Sequence, residues 1–189
     1  VYIGRGGFDM APAATILFKA FAIFLKKMPE LAQDVRFHFI GTSYAPTGMG
    51  KLSFLPIAES LGLEQYVYES SDRVSFYESI RAMQSADALI IPGSNDPAYT
   101  ASKIYPYLLS GKPILGLFQQ TSSAYSILQE SSHTATDFRN KEQALQDALE
   151  FLTKVSTTNI VEGRSLAGIE MYSAKNMTKQ QCAFFNTIC

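Results

Sequence analysis

The segment DALIIPG (87–93) sets the tightest limit on the fold of this chain. It is apolar without alternation, as a strand buried on both faces must be, and such strands belong to parallel sheets covered by helices. The surrounding pattern agrees. Short apolar runs at VYIG (1–4), VRFHFIG (35–41), QYVYES (65–70) and KPILGLF (112–118) predict four more strands, and SHTATDF (132–138) predicts a short extended piece. Helical spacing of apolar residues falls between them. Ile16, Leu17, Ala20, Phe21, Phe24, Leu25 and Met28 share one helical face from about Pro12 to Met28, with Pro29 as its stop. Further helices are predicted in SFLPIAESLGL, stopped by Gly62, and in SFYESIRAMQSA, opened by a Ser75–Glu78 capping box. Others follow in the run that ends at Gly111, in SSAYSILQES and NKEQALQDALEFLTKV, and in the tail from Gly163 to about Asn186. Strand and helix thus alternate with short connections. The expected fold is α/β: one Rossmann-like, doubly wound parallel sheet with helices on both faces, spanning 1–189 as a single domain with C-terminal helices from about 163. Ligands of such sheets bind at the carboxyl ends of the strands, so the loops after residues 4, 41, 70, 92 and 118 are the candidates.

Composition removes several function classes. With 47% apolar and 17% charged residues the chain is globular, and a net charge of −1 gives no basic excess for nucleic acid. The most apolar stretch, Ile16 to Leu25, is interrupted by Lys19, and no uninterrupted apolar run reaches the ~20 residues of a membrane span. Cys182 and Cys189 would lie roughly 10 Å apart on one helix, too far to bond. They have no metal-ligand spacing with His38 or His133. No metal site is expected, and a reducing, cytoplasmic compartment is the simple reading. A start directly in a strand, without Met, leads to the expectation of a piece of a longer chain.

The first loop, GRGGFD (4–9), has three glycines, Gly4, Gly6 and Gly7, around Arg5. Glycines let backbone N–H groups approach a phosphate, and Arg5 adds a bidentate donor fork. The spacing is neither the GxGxxG dinucleotide fingerprint nor a P-loop, so a nicotinamide cofactor is poorly supported. The second loop, GTSYAPTGMGK (41–51), offers Thr42, and ESSDRV (69–74) offers Arg73 and Val74. The fourth, GSNDPAYTASK (93–103), offers Ser94, Asp96, Thr100, Ser102 and Lys103 at a helix start, a pattern suited to an anion. Pro106 should break the hydrogen-bond ladder of that helix and kink its first turn.

Taken together these loops resemble the C-terminal, donor-binding half of a GT-B-fold glycosyltransferase, close to family 4 (group 1). VYIGRGG resembles the strand and Gly-Arg turn that open that half, RFHFIGTS its second strand and ADALIIPGS its fourth. SKIYPYLLSGKPIL resembles the family's Ser-Lys to Gly-Lys-Pro-Ile segment and is the most specific match. The resemblance implies a retaining transferase that moves a sugar from a nucleotide diphosphate to an acceptor hydroxyl. The donor is a substrate, and no separate cofactor is implied. Arg5 and Lys103 would take the catalytic role of neutralising the donor phosphates. Gly4, Gly6, Gly7, Thr42, Ser94, Asp96, Thr100 and Ser102 would line the donor, with Arg73 and Val74 at its base. The acceptor, a sugar or lipid-linked glycan, would bind an N-terminal domain absent from this chain, which alone would be inactive. Two departures stand out. Ala98 and Pro106 occupy the positions of the family's paired glutamates, and no second basic residue follows Arg5 closely, the nearest lysine being Lys19. They carry an alternative reading, a non-catalytic binding domain with a decayed donor site. Lys19, Lys26 and Lys27 on the first helix raise a peripheral contact with the inner face of the membrane, though a core helix with a solvated edge is the preferred reading.

Overall fold

A computed structural model describes residues 1–158 and 170–188. Among the described residues six strands form: β1 (Tyr2–Ile3), β2 (Phe37–Ile40), β3 (Val67–Ser70), β4 (Leu89–Pro92), β5 (Ile114–Phe118) and β6 (Thr134–Asp137). Eight helices accompany them: α1 (Ala11–Lys27), α2 (Pro29–Ala32), α3 (Leu55–Glu59), α4 (Phe76–Ser85), α5 (Ile104–Leu109), α6 (Ser123–Glu130), α7 (Lys141–Thr157) and α8 (Ala174–Ile188). Part of the predicted C-terminal helical tail, 163–169, lies outside the described residues, as does Cys189.

All pairing is parallel, in two sets of three, β1–β2–β3 and β4–β5–β6. The sets meet at Val1. The Ile90 amide donates to the Val1 carbonyl at 2.9 Å, and the Val1 nitrogen donates to the Ala88 carbonyl at 2.8 Å. The resulting order, β3–β2–β1–β4–β5–β6, is that of a Rossmann-like sheet, and its direction of winding reverses between β1 and β4. One further backbone donor at this junction is met by a side chain. Ile3 N–H donates to the Tyr107 hydroxyl at 2.8 Å. Tyr107, on α5, is buried, and burial pushes its phenol well above the ordinary value, so it stays neutral.

The core follows from the apolar pattern. Every residue of β4 and of β5 is buried. Helix α1 turns Ala13, Ala14, Leu17, Phe18, Ala20, Phe21 and Phe24 inward and packs on α7. Phe18 and Phe21 meet Phe37 edge-on at 5.9 and 5.0 Å, and Phe39 stacks on Phe54 at 4.3 Å. Counted with the turn before it, Phe8–Lys27 has the length and composition of a membrane span, a property hidden from a search for uninterrupted apolar runs. Its apolar face is occupied by the core, and Lys19, Lys26 and Lys27 form its exposed edge.

Three details differ from the sequence expectations. Pro29 does not simply end α1; Met28 does, and Pro29 opens the short α2. Strands β2 and β3 alternate, leaving His38 and Tyr68 exposed, their rings 5.6 Å apart. Helix α5 begins at Ile104, so Pro106 falls in its first turn, where its missing N–H removes no ladder bond. The capping box on α4 forms as the spacing required, and Gly62 and Gly111 follow α3 and α5 with positive φ.

The Tyr107 bond yields a test. Tyr107→Phe keeps the ring and leaves Ile3 N–H without its partner, which costs about 1–2 kcal/mol. Urea unfolding should show that loss; an unchanged midpoint would mean that the hydroxyl does not support the junction.

Candidate functional site

The reversal at β1 and β4 brings the loop after β1 beside the loop after β4. Lys103 stands at their meeting point. Its Nζ donates to the Tyr2 hydroxyl at 3.1 Å and lies 4.5 Å from the centre of the Tyr2 ring. It also lies directly on Gly4: a Cβ there would sit 1.7 Å from Nζ, and Gly4 has φ 153°, a conformation that other residues rarely adopt. The Tyr2 hydroxyl in turn donates to the Arg5 carbonyl at 2.8 Å, so one phenol ties the lysine to the glycine loop. Burial, with the nearby positive charges of Arg5 and Arg73, lowers the Lys103 pKa from 10.5 to about 8. Lys103 forms no ion pair among the described residues.

Arg5 is held differently. Its Nη1 and Nη2 donate to Asp9 Oδ1 and Oδ2 at 3.0 and 2.8 Å, and its guanidinium carbon lies 5.4 Å from the Tyr99 ring centre. The bond from Arg5 holds the Asp9 carboxyl below the usual range, helped by a hydrogen bond with Ser94. Gly7 makes this pair possible. A Cβ on Gly7 would lie 2.3 Å from Asp9 Oδ1.

The remaining predicted residues divide. Ser94 is buried; its Oγ accepts from Asp96 N–H at 2.9 Å and it faces Asp9. Asp96 is exposed, with Oδ1 accepting from Ala98 N–H at 2.9 Å. Arg73 is exposed, stacks 4.9 Å from the Tyr44 ring centre and is near enough to act on Lys103; Val74 beside it is half-buried. Thr100 and Ser102 are exposed on the turn before α5. That helix has only six residues, so the anion-attracting field expected at its start is slight. Gly6 packs against Ser53, where a Cβ would come within 2.7 Å. Thr42 is buried, and its hydroxyl donates to Glu69 Oε1 at 2.7 Å. Glu69 itself accepts from the amides of Ser53, Phe54 and Leu55 at 2.7–2.8 Å, closing the start of α3. Thr42 and Glu69 thus brace the loop from beneath.

Sequence reasoning missed Asp9, Tyr2, Tyr99 and Tyr44. The four-residue spacing of Arg5 and Asp9 was a signal for the first; nothing marked the tyrosines. The arrangement is an open wall of three cations, Lys103, Arg5 and Arg73, at the carboxyl ends of the strands. It suits an oxyanion carrying two or more negative charges. A cavity of about 600 Å³ lies elsewhere, at the amino ends near Arg36, His38 and Asp87. Arg36 there is engaged by the carbonyls of Gln33 and Val35, so the open wall remains the better candidate for an anion.

No family model matches the sequence, and no curated protein matches it. The fold does have a solved counterpart. The structure of trehalose-6-phosphate synthase OtsA superposes with a TM-score of 0.58 at 15% identity. The match covers 98% of this chain and 42% of that one. The fold of this chain is therefore Rossmann-like α/β of the kind found in GT-B glycosyltransferases.

The depressed Lys103 pKa fixes a sign. Below pH 8 the lysine is charged in both folded and unfolded chains, and its burial cost is fully present. Between 8 and 10.5 the unfolded chain binds more protons, so stability rises with pH; above 10.5 the cost is gone. Lys103→Met should stabilise the protein at pH 7 by about 1–3 kcal/mol, a gain that fades by pH 10.5. Urea unfolding of both proteins at pH 7 and 10 checks this, and a less stable variant at pH 7 would contradict the assigned burial.

Proposed function

We propose that this chain is the nucleotide-sugar donor-binding domain of a retaining glycosyltransferase. One observation carries the reading: a half-buried lysine, without a counter-ion among the described residues, stands on a glycine loop, beside two arginines, at the point where a Rossmann-like sheet reverses. A diphosphate supplies the missing charge. The match in fold to a glycosyltransferase supports the class.

In this reading Lys103 and the open edge of Arg5 contact the diphosphate, and Gly4 and Gly7 keep the backbone within reach. Arg73, Val74 and Tyr44 lie toward the base, and Asp96, Thr100 and Ser102 line the rim. As the bond from the sugar's anomeric carbon to the diphosphate breaks, the acceptor oxygen bonds to that carbon and its proton is released. Negative charge grows on the departing diphosphate, where Lys103 and Arg5 stabilise it. The acceptor, a sugar or lipid-linked glycan, binds a second, N-terminal domain, so this chain alone binds without turnover. A cytoplasmic setting at the inner face of the membrane fits the nucleotide donor.

A second reading has its own observation. Asp9 occupies one fork of Arg5, and neither Ala98 nor Pro106, both exposed, can accept a bond from ribose. A non-catalytic domain on the same fold would look like this.

Calorimetric titration with UDP, GDP and ADP separates the two. Saturable binding to at least one, weakened about tenfold in Lys103→Ala, is the expected result. No binding to any of the three, in this chain or when it is joined to its N-terminal partner domain, would leave the non-catalytic reading.

A further inference from the structure

The Arg5–Asp9 pair presents a puzzle within the donor-site reading, on which this inference rests. A carboxylate in a phosphate site repels the ligand and occupies a donor. Two bonds from Arg5 go to Asp9, yet guanidinium has five N–H groups. Asp9 takes the end-on fork, Nη1 with Nη2. Nε–H and one hydrogen on each Nη have no partner among the described residues, and the Nε–Nη edge is itself a bidentate fork. The Arg5 side chain is 31% exposed, and Asp9 leaves that edge unengaged.

The support behind Asp9 is extensive for a loop residue. Its side chain is only 15% exposed. Ser94 lies close enough to help hold its carboxyl below the usual range, and its own carbonyl accepts from Asn95 N–H at 2.8 Å. Asp9 is thereby fastened to the loop after β4, the loop that leads to Lys103. Gly7 leaves room for Oδ1, and the Tyr99 ring covers one face of the guanidinium. Arg5 is fixed on several sides, with one edge left over.

We propose that Asp9 is a positioning residue: it locks the Arg5 guanidinium so that its Nε edge faces a diphosphate held between Arg5 and Lys103. The loss of rotamer freedom is met during folding, not during binding. The pair also removes one unit of positive charge from a site that would otherwise repel its own Lys103.

The sign of one measurement decides. Simple electrostatics, and any role for Asp9 as a competitor that the ligand must displace, require Asp9→Ala to bind inorganic diphosphate more tightly. Positioning requires weaker binding, about tenfold, despite the extra positive charge. The effect should vanish in an Arg5→Ala background, which a merely structural role for Asp9 would not produce. A ligand-free readout runs beside it. The Arg5 Nε–H resonance should be narrow and dispersed in the wild type and averaged in Asp9→Ala, with the fold checked by the remaining amide spectrum. Tighter diphosphate binding by Asp9→Ala, or an Arg5 resonance unchanged by it, overturns the proposal. Failure of the wild type to bind diphosphate while the resonance responds as expected would count against the donor site alone and leave Arg5 locked by Asp9.

Discussion

The hydrogen bonds that join β1 to β4 set the geometry on which the site depends. Val1 and Ile90 bring together two parallel sets of strands whose loops leave in diverging directions. A parallel sheet that ran in sequence order would place each carboxyl-end loop over its neighbour and close the gap. The reversal leaves a crevice there, and the loops after β1 and β4 become its two walls. The junction is short, because β1 has only two residues in strand geometry. Its next backbone donor turns to Tyr107 on α5, the helix that directly follows Lys103. A single hydroxyl therefore links the integrity of the sheet to the position of the lysine.

The two cations facing each other across the crevice have opposite environments. Arg5 is compensated by a carboxylate, and its pKa is raised chiefly by that hydrogen bond. Lys103 has a phenol, a ring face and a glycine, and its pKa falls to about 8. An arginine so paired is a fixed charge. A lysine so placed is a charge that the folded protein accommodates poorly. Its burial costs stability, and a site for phosphate, as proposed here, would have to accept such a cost.

Much of the fold was legible because it rests on periodicity. The unbroken apolar run of β4, the helical stripe of α1 and the Ser75–Glu78 box each have one physical explanation, and the structure shows it. The site was legible only in part. Glycines and basic residues in the right loops signal an anion, and Gly4, Gly7, Arg5 and Lys103 do come together. What the sequence hides is how polar groups are used up. Thr42 read as a hydroxyl lining the donor and Glu69 as loop polarity, but Thr42 is buried and the two bond each other in the interior. Tyr2 and Tyr107 read as apolar core, and both place a hydroxyl at the junction. Pro106 read as a break in a long helix because the turn at 101–103 does not differ in composition from a helix start. Partner choice among polar groups depends on three-dimensional proximity, which local pattern does not encode.

Ala98 and Pro106 bear on what kind of ligand such a site can select. Neither side chain can accept a hydrogen bond, and both lie exposed on the segment that leads into and through the start of α5. The carboxylate nearest in sequence, Asp96, spends Oδ1 on the Ala98 amide and keeps Oδ2 without a partner among the described residues. Donor binding at this site would then draw its affinity from phosphate charge and from stacking on Tyr44 with Arg73. A hydroxyl-reading carboxylate would contribute at most one acceptor. Sites built on buried hydrogen bonds reject analogues that lack a hydroxyl, whereas sites built on charge do not. Under the proposed function, a domain of this design would discriminate poorly among nucleotide sugars at the ribose. Its selectivity would then have to come from the base at Arg73 and Val74, or from a second domain closing the cleft.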